Sequence, residues 1–374
     1  MRKLIILIAL LVSIYPMAFG QIGGENTYEF LNLTNSARMA SLGGNQVALY
    51  DSTDINVSYN NPSLLMPGMK NMLAINYINY FTGVNYGYAA YSFGTPLPGN
   101  FAVGMHYINY GNFIGVDENG QKTGDFTGGE YALNIIWSNE YIWKSHSKDS
   151  IQDTSNNSVR VLNLRRLTYG INLKPLYSAL ENYQSMGIAA DLGISYFSKN
   201  QLTVTSIVAR NIGTQIITYY DGAQKESIPF DLQFGVSQKL QHAPIRFAAT
   251  MQHLQKWNLA KPAADNTGAA VVYTEDNFTK KFMRHLVLGV ELLPSPNFTI
   301  RGGYNYQVRQ ELGMKEKLST VGFAWGFGFK ISRFHFNYGS TRFHLGGSNN
   351  IISVALNLSQ DFKRSNVRND GLAE

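Results

Sequence analysis

Beyond its first seventy residues, the chain repeats one pattern, in which large apolar residues alternate with small or polar ones. The pattern begins near Asn71 and recurs to the end of the chain. Successive side chains of a β-strand point to opposite faces, so this alternation predicts strands with one apolar face. The sequence therefore predicts an all-β fold, and the clearest alternating runs are 188–196, 286–292, 298–306, 321–329 and 352–358.

The second face of these strands consists of Gly, Ala, Ser and Asn, with a few charges such as Asp191, Glu291 and Arg301. A soluble sandwich would carry many Lys, Glu and Thr residues there. In a membrane barrel, large apolar residues face the lipid, and the lumen tolerates small and polar groups. Closure of the barrel also satisfies every backbone amide, which lipid cannot do. The pattern therefore favours a transmembrane antiparallel β-barrel.

The composition of the chain supports the same fold class. Charged residues make up 15% of the 374 residues, against about a quarter in ordinary soluble domains. The chain contains 23 Tyr, 21 Phe and 35 Gly residues, and no run of eighteen apolar residues follows the first twenty. We predict no transmembrane helix. Composition alone leaves a secreted soluble β-sandwich or propeller as the alternative.

The alternation predicts fourteen strands, an even number such as single-chain bacterial barrels have. Most of the strands have about ten residues, which suits a tilted strand that crosses a membrane. The predicted strands are 71–81, 84–94, 100–111, 129–138, 165–174, 187–197, 202–211, 229–239, 244–255, 283–293, 297–306, 318–330, 332–341 and 350–359.

The connections test this count, because a barrel with both termini in the periplasm has long outward loops after odd strands and short turns after even ones. The predicted connections follow this rule with two exceptions. Strands 1 and 2 are joined by a short outward turn at Thr82-Gly83. The segment from Asn139 to Leu164 is long and polar where a short periplasmic turn is expected. We interpret it as a periplasmic insertion, with a missed hairpin as the alternative.

Residues 1–20 have the features of a cleavable secretory signal peptide. Arg2 and Lys3 precede an apolar stretch from Leu4 to Tyr15, and Ala18-Phe19-Gly20 places small residues at the cleavage site. The alternative is a membrane anchor, for which the stretch is short. A signal peptide followed by a β-barrel predicts location in the cell outer membrane.

The remainder divides into three parts. Residues 21–70 follow no sustained period, and we predict a compact hatch inside or under the barrel, with one helical turn near Ser63 to Met66. Residues 71–362 form the predicted barrel, whose last strand leads to Phe362. Residues 363–374 form a polar C-terminal tail.

No motif in the sequence indicates catalysis, so we assign no catalytic, cofactor-binding or metal-binding residue and predict a non-enzymatic protein. His335 lies between two Phe residues on a predicted strand, and we expect it to face the lumen. Asp51 and Asp54 form a carboxylate pair, but in a Ser/Thr-rich loop such residues usually cap turns. The chain has no cysteine, and its formal charge of +6 is scattered, so no nucleic-acid partner is predicted. The predicted partner of the barrel wall is outer-membrane lipid.

Several short motifs resemble one family of outer-membrane proteins. The N-terminal segment is similar to that of FadL-type barrels in Ser36-Ala37-Arg38, Gly43-Gly44 and Asn60-Asn61-Pro62-Ser63. The chain further resembles the PorV/PorQ branch of the FadL-like superfamily in its opening segment and in four later ones: 24–31, 169–174, 190–193, 210–213 and 228–230.

The resemblance covers nearly the whole mature chain and implies a fourteen-stranded barrel plugged by an N-terminal hatch. It also implies a role in the type IX secretion system, which exports proteins and attaches them to the cell surface. The implied partners are the secretion proteins PorZ, PorU and PorV. Two other functions stay open: a FadL-like transporter of fatty acids or other hydrophobic compounds, and a soluble secreted β-protein or enzyme.

Overall fold

The computed structural model describes residues 26–80, 83–143, 165–260, 276–312, 320–344 and 347–358. The predicted signal peptide, most of the predicted insertion, Phe362 and the C-terminal tail lie outside these residues. Fourteen antiparallel strands form one closed barrel in which each strand pairs with its neighbours in the chain. The predicted fold class and strand number are confirmed.

The strands are numbered in chain order. They are β1 (Met72–Asn79), β2 (Asn85–Phe93), β3 (Asn100–Val116), β4 (Lys122–Ile142), β5 (Arg166–Leu180), β6 (Tyr183–Phe197), β7 (Thr203–Ile217), β8 (Asp231–Lys239), β9 (Ile245–Met251), β10 (Leu286–Ser295), β11 (Phe298–Asn305), β12 (Phe323–Ile331), β13 (Phe334–His344) and β14 (Gly347–Asn357).

The barrel closes where the first strand meets the last. β1 pairs with β14 over eight residues, from Met72 opposite Asn357 to Asn79 opposite Asn350. The start of β1 and the end of β14 therefore lie at one end of the barrel, called here the inner end. The opposite, outer end carries the connections that include helices α3 (Phe278–Arg284) and α4 (Tyr306–Leu312). No helix in the described part of the chain is long and apolar enough to cross a membrane.

Five strands, β3 to β7, extend at least four residues beyond their predicted ends, and β7 continues to Ile217. β3 and β4 continue toward the outer end as a hairpin, and β5 and β6 meet at a tight turn at Glu181, where an outward loop was predicted. Both faces of a hairpin outside the bilayer meet water, so its residues need not alternate. The sequence pattern therefore ends before the strands do.

The predicted insertion begins later than expected. β4 extends to Ile142, which lies opposite Arg166 of β5, so residues 139–142 are strand and not insertion. Because β4 and β5 are neighbours in the closed barrel, no missed hairpin lies between them in the wall. Residues 144–164 lie outside the described residues.

The two faces of the strands differ as the alternation predicted. On β6, Leu192 and Ile194 are 46% and 54% exposed on the outside, whereas Asp191 and Ser195 are fully buried in the lumen. On β12, the exposed Trp325 points outward and the small residues face inward. A closed barrel with an apolar exterior suits lipid, and the soluble sandwich and propeller do not fit this topology.

Aromatic side chains cluster on the outside near the inner end. Trp137 contacts Tyr169 with ring centroids 5.8 Å apart, and Trp143 contacts Tyr141 and Tyr196 at 5.3 and 6.4 Å. Such rings are typical of the level where lipid meets water. This cluster marks one edge of the membrane band.

A charge on the lipid face should therefore destabilise the barrel in proportion to its depth. We expect Leu192→Arg, near the middle of the band, to lower the free energy of unfolding by about 2–4 kcal/mol in lipid vesicles. The control is Met186→Arg, six residues nearer the outer end on the same face, which should cost about 0–1 kcal/mol. Denaturant titration measures both, and equal losses would contradict the position of the band.

Candidate functional site

The lumen is filled by the N-terminal segment, called the hatch (residues 26–70). It contains helices α1 (Ala37–Ser41) and α2 (Val57–Asn60) and 3-10 turns at Glu29–Asn32, Pro62–Leu64 and Pro67–Met69. Ser36 caps α1 by accepting a hydrogen bond from the Met39 amide. The 3-10 turn at Pro62–Leu64 overlaps the single helical turn that the sequence predicted. The other helices were missed because four or five residues are too short to show a period.

Glycines on the lumen face of the wall let the hatch backbone approach closely. A Cβ atom on Gly303 would lie 2.2 Å from the Gly43 nitrogen. A Cβ atom on Gly339 would lie 2.4 Å from the Ala37 carbonyl oxygen, which is also too close. The small second face of the strands is thus the surface on which the hatch packs.

Polar side chains hold one corner of the hatch against β6. Asn61 donates from Nδ2 to the Ser195 Oγ at 3.0 Å and to the Val47 carbonyl at 2.7 Å. The Ser63 and Ser195 hydroxyl oxygens are 2.6 Å apart. All four residues are buried, so these bonds fix the hatch in a dry environment.

A charge cluster joins the hatch to another part of the wall, at β10. The carboxylate of Glu291 on β10 accepts hydrogen bonds from three arginines: Arg38 of the hatch at 2.9 and 3.1 Å, Arg301 at 3.0 Å and Arg246 at 2.8 Å. Glu291 is 1% exposed and Arg38 is 3% exposed. A buried charge is stable only when it is paired and fully hydrogen-bonded, so this cluster depends on the hatch being in place.

Asp51 and Asp54, the carboxylates noted in the sequence, complete the cluster. Both accept from Arg38, at 2.9 and 3.2 Å. Each also caps a turn, Asp51 at the Thr53 amide and Asp54 at the Asn56 amide. Three carboxylates thus balance the charge of three arginines. Asp51 and Asp54 contribute by holding Arg38, and with it the hatch, in position.

The charge state of Asp51 follows from these contacts. Burial alone would raise the pKa of its carboxyl, but the Arg38 guanidinium and the hydrogen bonds from Thr53 outweigh that effect and hold the pKa below its ordinary value of 3.8. The stabilisation from this pair is therefore present at neutral pH and is lost as the pH falls through the lowered pKa.

A second buried ion pair lies where β5, β6 and β7 meet. The Lys174 ammonium is 2.7 Å from the Asp191 carboxylate, and neither residue is exposed. Lys174 also donates to the Asn211 side-chain oxygen, and the Asn211 amide donates to Asp191. The register between β6 and β7 shifts at Asp191, so its carboxylate replaces the missing strand partner.

Tyr59 of the hatch packs against this second pair. Its ring centroid lies 5.6 Å from the Lys174 nitrogen and 5.4 Å from the Arg210 guanidinium carbon. Its hydroxyl is 2.8 Å from Nδ1 of His106 and donates to the Leu31 carbonyl. Burial raises the pKa of Tyr59, so its hydroxyl stays neutral.

The motifs that carry the family resemblance meet at this interface between hatch and wall. Two of the three hatch motifs supply Arg38 and Asn61, and the later motifs supply Lys174, Asp191 and Arg210. Beyond these motifs, the sequence offered one further signal, an isolated charge on the small, polar face of a strand. Arg246, Lys174 and Arg210 carry that signal, and none of them was predicted to lie in a charge cluster.

Two small cavities of the described part of the chain lie near the inner end. One, of about 70 Å³, is lined by polar and charged residues that include Arg38, Lys330 and His335, which faces the lumen. The other holds about 110 Å³ and lies beside Phe93 and Phe101. Pockets for drug-sized ligands enclose roughly 300–1,000 Å³. Within the described ranges, no three His, Asp or Glu side chains are arranged to hold a metal ion.

The glycine contacts predict a position-specific cost. Gly303→Ala should lower the free energy of unfolding by about 1–3 kcal/mol, because the added methyl group overlaps the hatch backbone. The matched control is Gly302→Ala, which faces outward and meets only the Val290 Cγ1 atom at 3.6 Å. The free energy of unfolding of the control, measured by thermal unfolding, should stay within about 0.5 kcal/mol of the wild-type value. Similar losses in both variants would contradict the packing.

Removal of Arg38 should release the hatch. Arg38→Ala leaves two carboxylates without their shared cation, and breaking such a buried pair costs about 3–5 kcal/mol. We expect protease to cleave the hatch of this variant in the folded barrel. Arg38→Lys keeps the charge but loses the bidentate contact with Glu291, so protection of its hatch against the protease should be intermediate. Wild-type protection in Arg38→Ala would show that the cluster does not hold the hatch.

Among known proteins, similarity to this chain is found only with solved structures. No protein-family model matches the chain, and no curated protein matches it. The fold is similar to the toluene transporter TodX of P. putida, at 12% identity and a TM-score of 0.46, covering 88% of this chain and 99% of that one. The toluene transporter TbuX of Ralstonia pickettii is 13% identical with a TM-score of 0.43, and the match covers 87% of this chain and 99% of that one. A FadL homologue of Pseudomonas aeruginosa is 10% identical with a TM-score of 0.38, and the match covers 86% of this chain and 97% of that one.

Proposed function

We propose that this chain is a non-enzymatic outer-membrane component of the type IX secretion system, similar to PorQ, that docks proteins which export cargo and attach it to the cell surface. The observation that carries the proposal is the filled lumen. The hatch is held to the wall by the buried Arg38–Glu291 ion pair at β10 and by the Ser63–Ser195 hydrogen bond at β6. A barrel closed in this way offers its rims and hairpins to partners rather than a pore to solutes.

The motif order supports the same proposal. The opening segment 24–31 resembles PorQ in particular, and the later motifs follow in the order typical of the PorV/PorQ branch. The proposed partners are PorZ, PorU and PorV, and the proposed location is the outer membrane. The barrel would then serve as an anchor, and its lipid-facing wall would hold the docked proteins at the surface.

The hatch-plus-barrel architecture favours a second candidate, the uptake of hydrophobic compounds. TodX and TbuX are described as toluene transporters, which makes toluene a suitable test compound. Because the hatch fills the lumen of this chain, passage would require the hatch to move. The two candidates therefore differ in whether hatch movement is needed.

A disulfide lock separates the two functions. The chain has no cysteine, and the Ser63 and Ser195 hydroxyl oxygens are close enough for Cys replacements to be bridged. The variant Ser63→Cys/Ser195→Cys should restore cargo display in a deletion strain as fully as the wild type, because docking needs no hatch movement. The single variant Ser63→Cys and a reduced sample are the controls.

The outcomes are distinct. Loss of cargo display in the deletion strain, with rescue by the locked barrel, is the expected result. Normal display and processing of type IX cargo after deletion of the gene would contradict the secretion role. Toluene uptake that the wild type restores and the oxidised lock abolishes would establish transport instead.

A further inference from the structure

The hairpin of β3 and β4 extends beyond the barrel wall. β3 pairs with β2 no further than Asn109, and β4 pairs with β5 only from Gly128 onward. Between these limits the two strands pair with each other alone, as a ribbon that we call the outer ribbon (residues 112–127). Both of its edges are thus without a neighbouring strand in the described part of the chain.

The outer ribbon lies outside the hydrocarbon. The eleven residues from Asn100 to Tyr110 already suffice to cross it as a tilted strand. An open sheet edge is not tolerated in lipid, because its backbone groups would lack partners. Charged residues at the tip, including Asp117 and Glu118, are exposed. The ribbon therefore stands in water at the outer end of the barrel.

The two edges of the ribbon differ in how they are protected against pairing. The β4 edge carries charges at Lys122 and Asp125, and a register shift leaves Thr123 unpaired as a bulge. Charges and bulges are the usual means by which edge strands avoid a new partner. The β3 edge, residues 112–116, has the sequence Asn-Phe-Ile-Gly-Val, without charge or proline. A register shift at residues 110–111 precedes the β3 edge, but residues 112–116 themselves are less protected against a further strand than the β4 edge is.

The open edge also presents an apolar surface. Phe113, Ile114 and Val116 are 43%, 58% and 59% exposed. The Phe113 ring stacks on Phe126 of β4 at 5.2 Å, which stiffens the ribbon. Five residues extend over about 17 Å, close to the length of an ordinary strand. The edge is thus long enough to hold one extended segment.

Charge specifies which end of an antiparallel segment should be basic. The tip carries three acidic residues, Asp117, Glu118 and Asp125, and one basic residue, Lys122, so the tip is acidic. β3 runs toward the tip, and an antiparallel partner would therefore begin there. A basic N-terminal end would meet the acidic tip, and uncharged β-branched residues would follow along Ile114 and Val116.

We propose that the β3 edge of the outer ribbon docks an extended segment of a surface protein by antiparallel strand addition, with a basic N-terminal end at the tip and uncharged β-branched residues after it. Strand addition derives its affinity from main-chain hydrogen bonds and its specificity from alternate side chains. This inference rests on the proposed function, for which it supplies the docking surface.

The test uses the full-length barrel in lipid nanodiscs and a synthetic peptide that begins with two Lys residues followed by alternating Thr and Val. Fluorescence anisotropy measures binding, and hydrogen exchange locates it. The peptide should slow amide exchange in residues 112–116 and leave residues 122–127 unchanged. Two control peptides, one with the Lys pair at the opposite end and one N-methylated at alternate amides, should bind at least about tenfold more weakly, equivalent to about 1.4 kcal/mol.

Matched variants test the edge itself. Ile114→Lys places a charge on the open edge and should weaken peptide binding by about tenfold, or about 1.4 kcal/mol. Thr127→Lys places the same charge on the opposite edge, opposite Asn112 and away from the acidic tip, and should leave binding unchanged. Heat-modifiable migration on gels confirms that both barrels are folded. Equal effects of the two substitutions, or protection of 122–127, would overturn the inference.

Two further results would also overturn it. One is slow exchange, without peptide, of those amides in residues 112–116 that do not bond to β4, because lipid or a second copy of the chain would then cover the edge. The other is normal cargo display with Ile114→Lys in a strain that loses display on deletion, which would leave the secretion role intact. Normal display after complete deletion, with peptide still bound at the edge, would instead remove only the secretion role.

Discussion

Lipid offers no hydrogen bonds to a polypeptide backbone, and the rest of this structure depends on that constraint. The fourteen strands satisfy it only because β1 pairs with β14 and leaves no open edge in the membrane band. Closure forces every strand to have one face toward lipid and one toward the lumen. The alternation along the chain follows from this requirement, which is why strands such as β6 and β12 are evident in the sequence.

Closure also creates an interior that must be filled. In this chain the hatch fills it, and the lumen face carries glycines where the hatch backbone approaches and charges where the hatch is held. The cluster around Glu291 joins Arg38 to two arginines of the wall through a carboxylate that is 1% exposed. Removal of one member leaves a buried charge unpaired, so hatch and wall depend on each other.

The motifs that resemble the PorV/PorQ branch lie largely at this internal interface, and they therefore describe how the hatch is seated. A docking function must reside on surfaces outside the lumen. The outer ribbon is one such surface, and its sequence shows no alternation because both of its faces meet water. The motifs that carry the resemblance and the ribbon proposed to bind a partner therefore lie in different parts of the chain.

The sequence by itself determined the fold class, the number of strands and the two faces of the strands within the membrane band, because lipid and lumen select different side chains at alternate positions. It also indicated that residues 21–70 differ from the barrel. Only the tertiary structure decided which residues meet: that Asp51 and Asp54 share Arg38 with Glu291, that Lys174 pairs with Asp191, and that β3 and β4 extend beyond the wall. These contacts join positions far apart in the chain. A pattern of neighbouring residues reflects only which face each residue occupies, so it does not predict which distant residues meet.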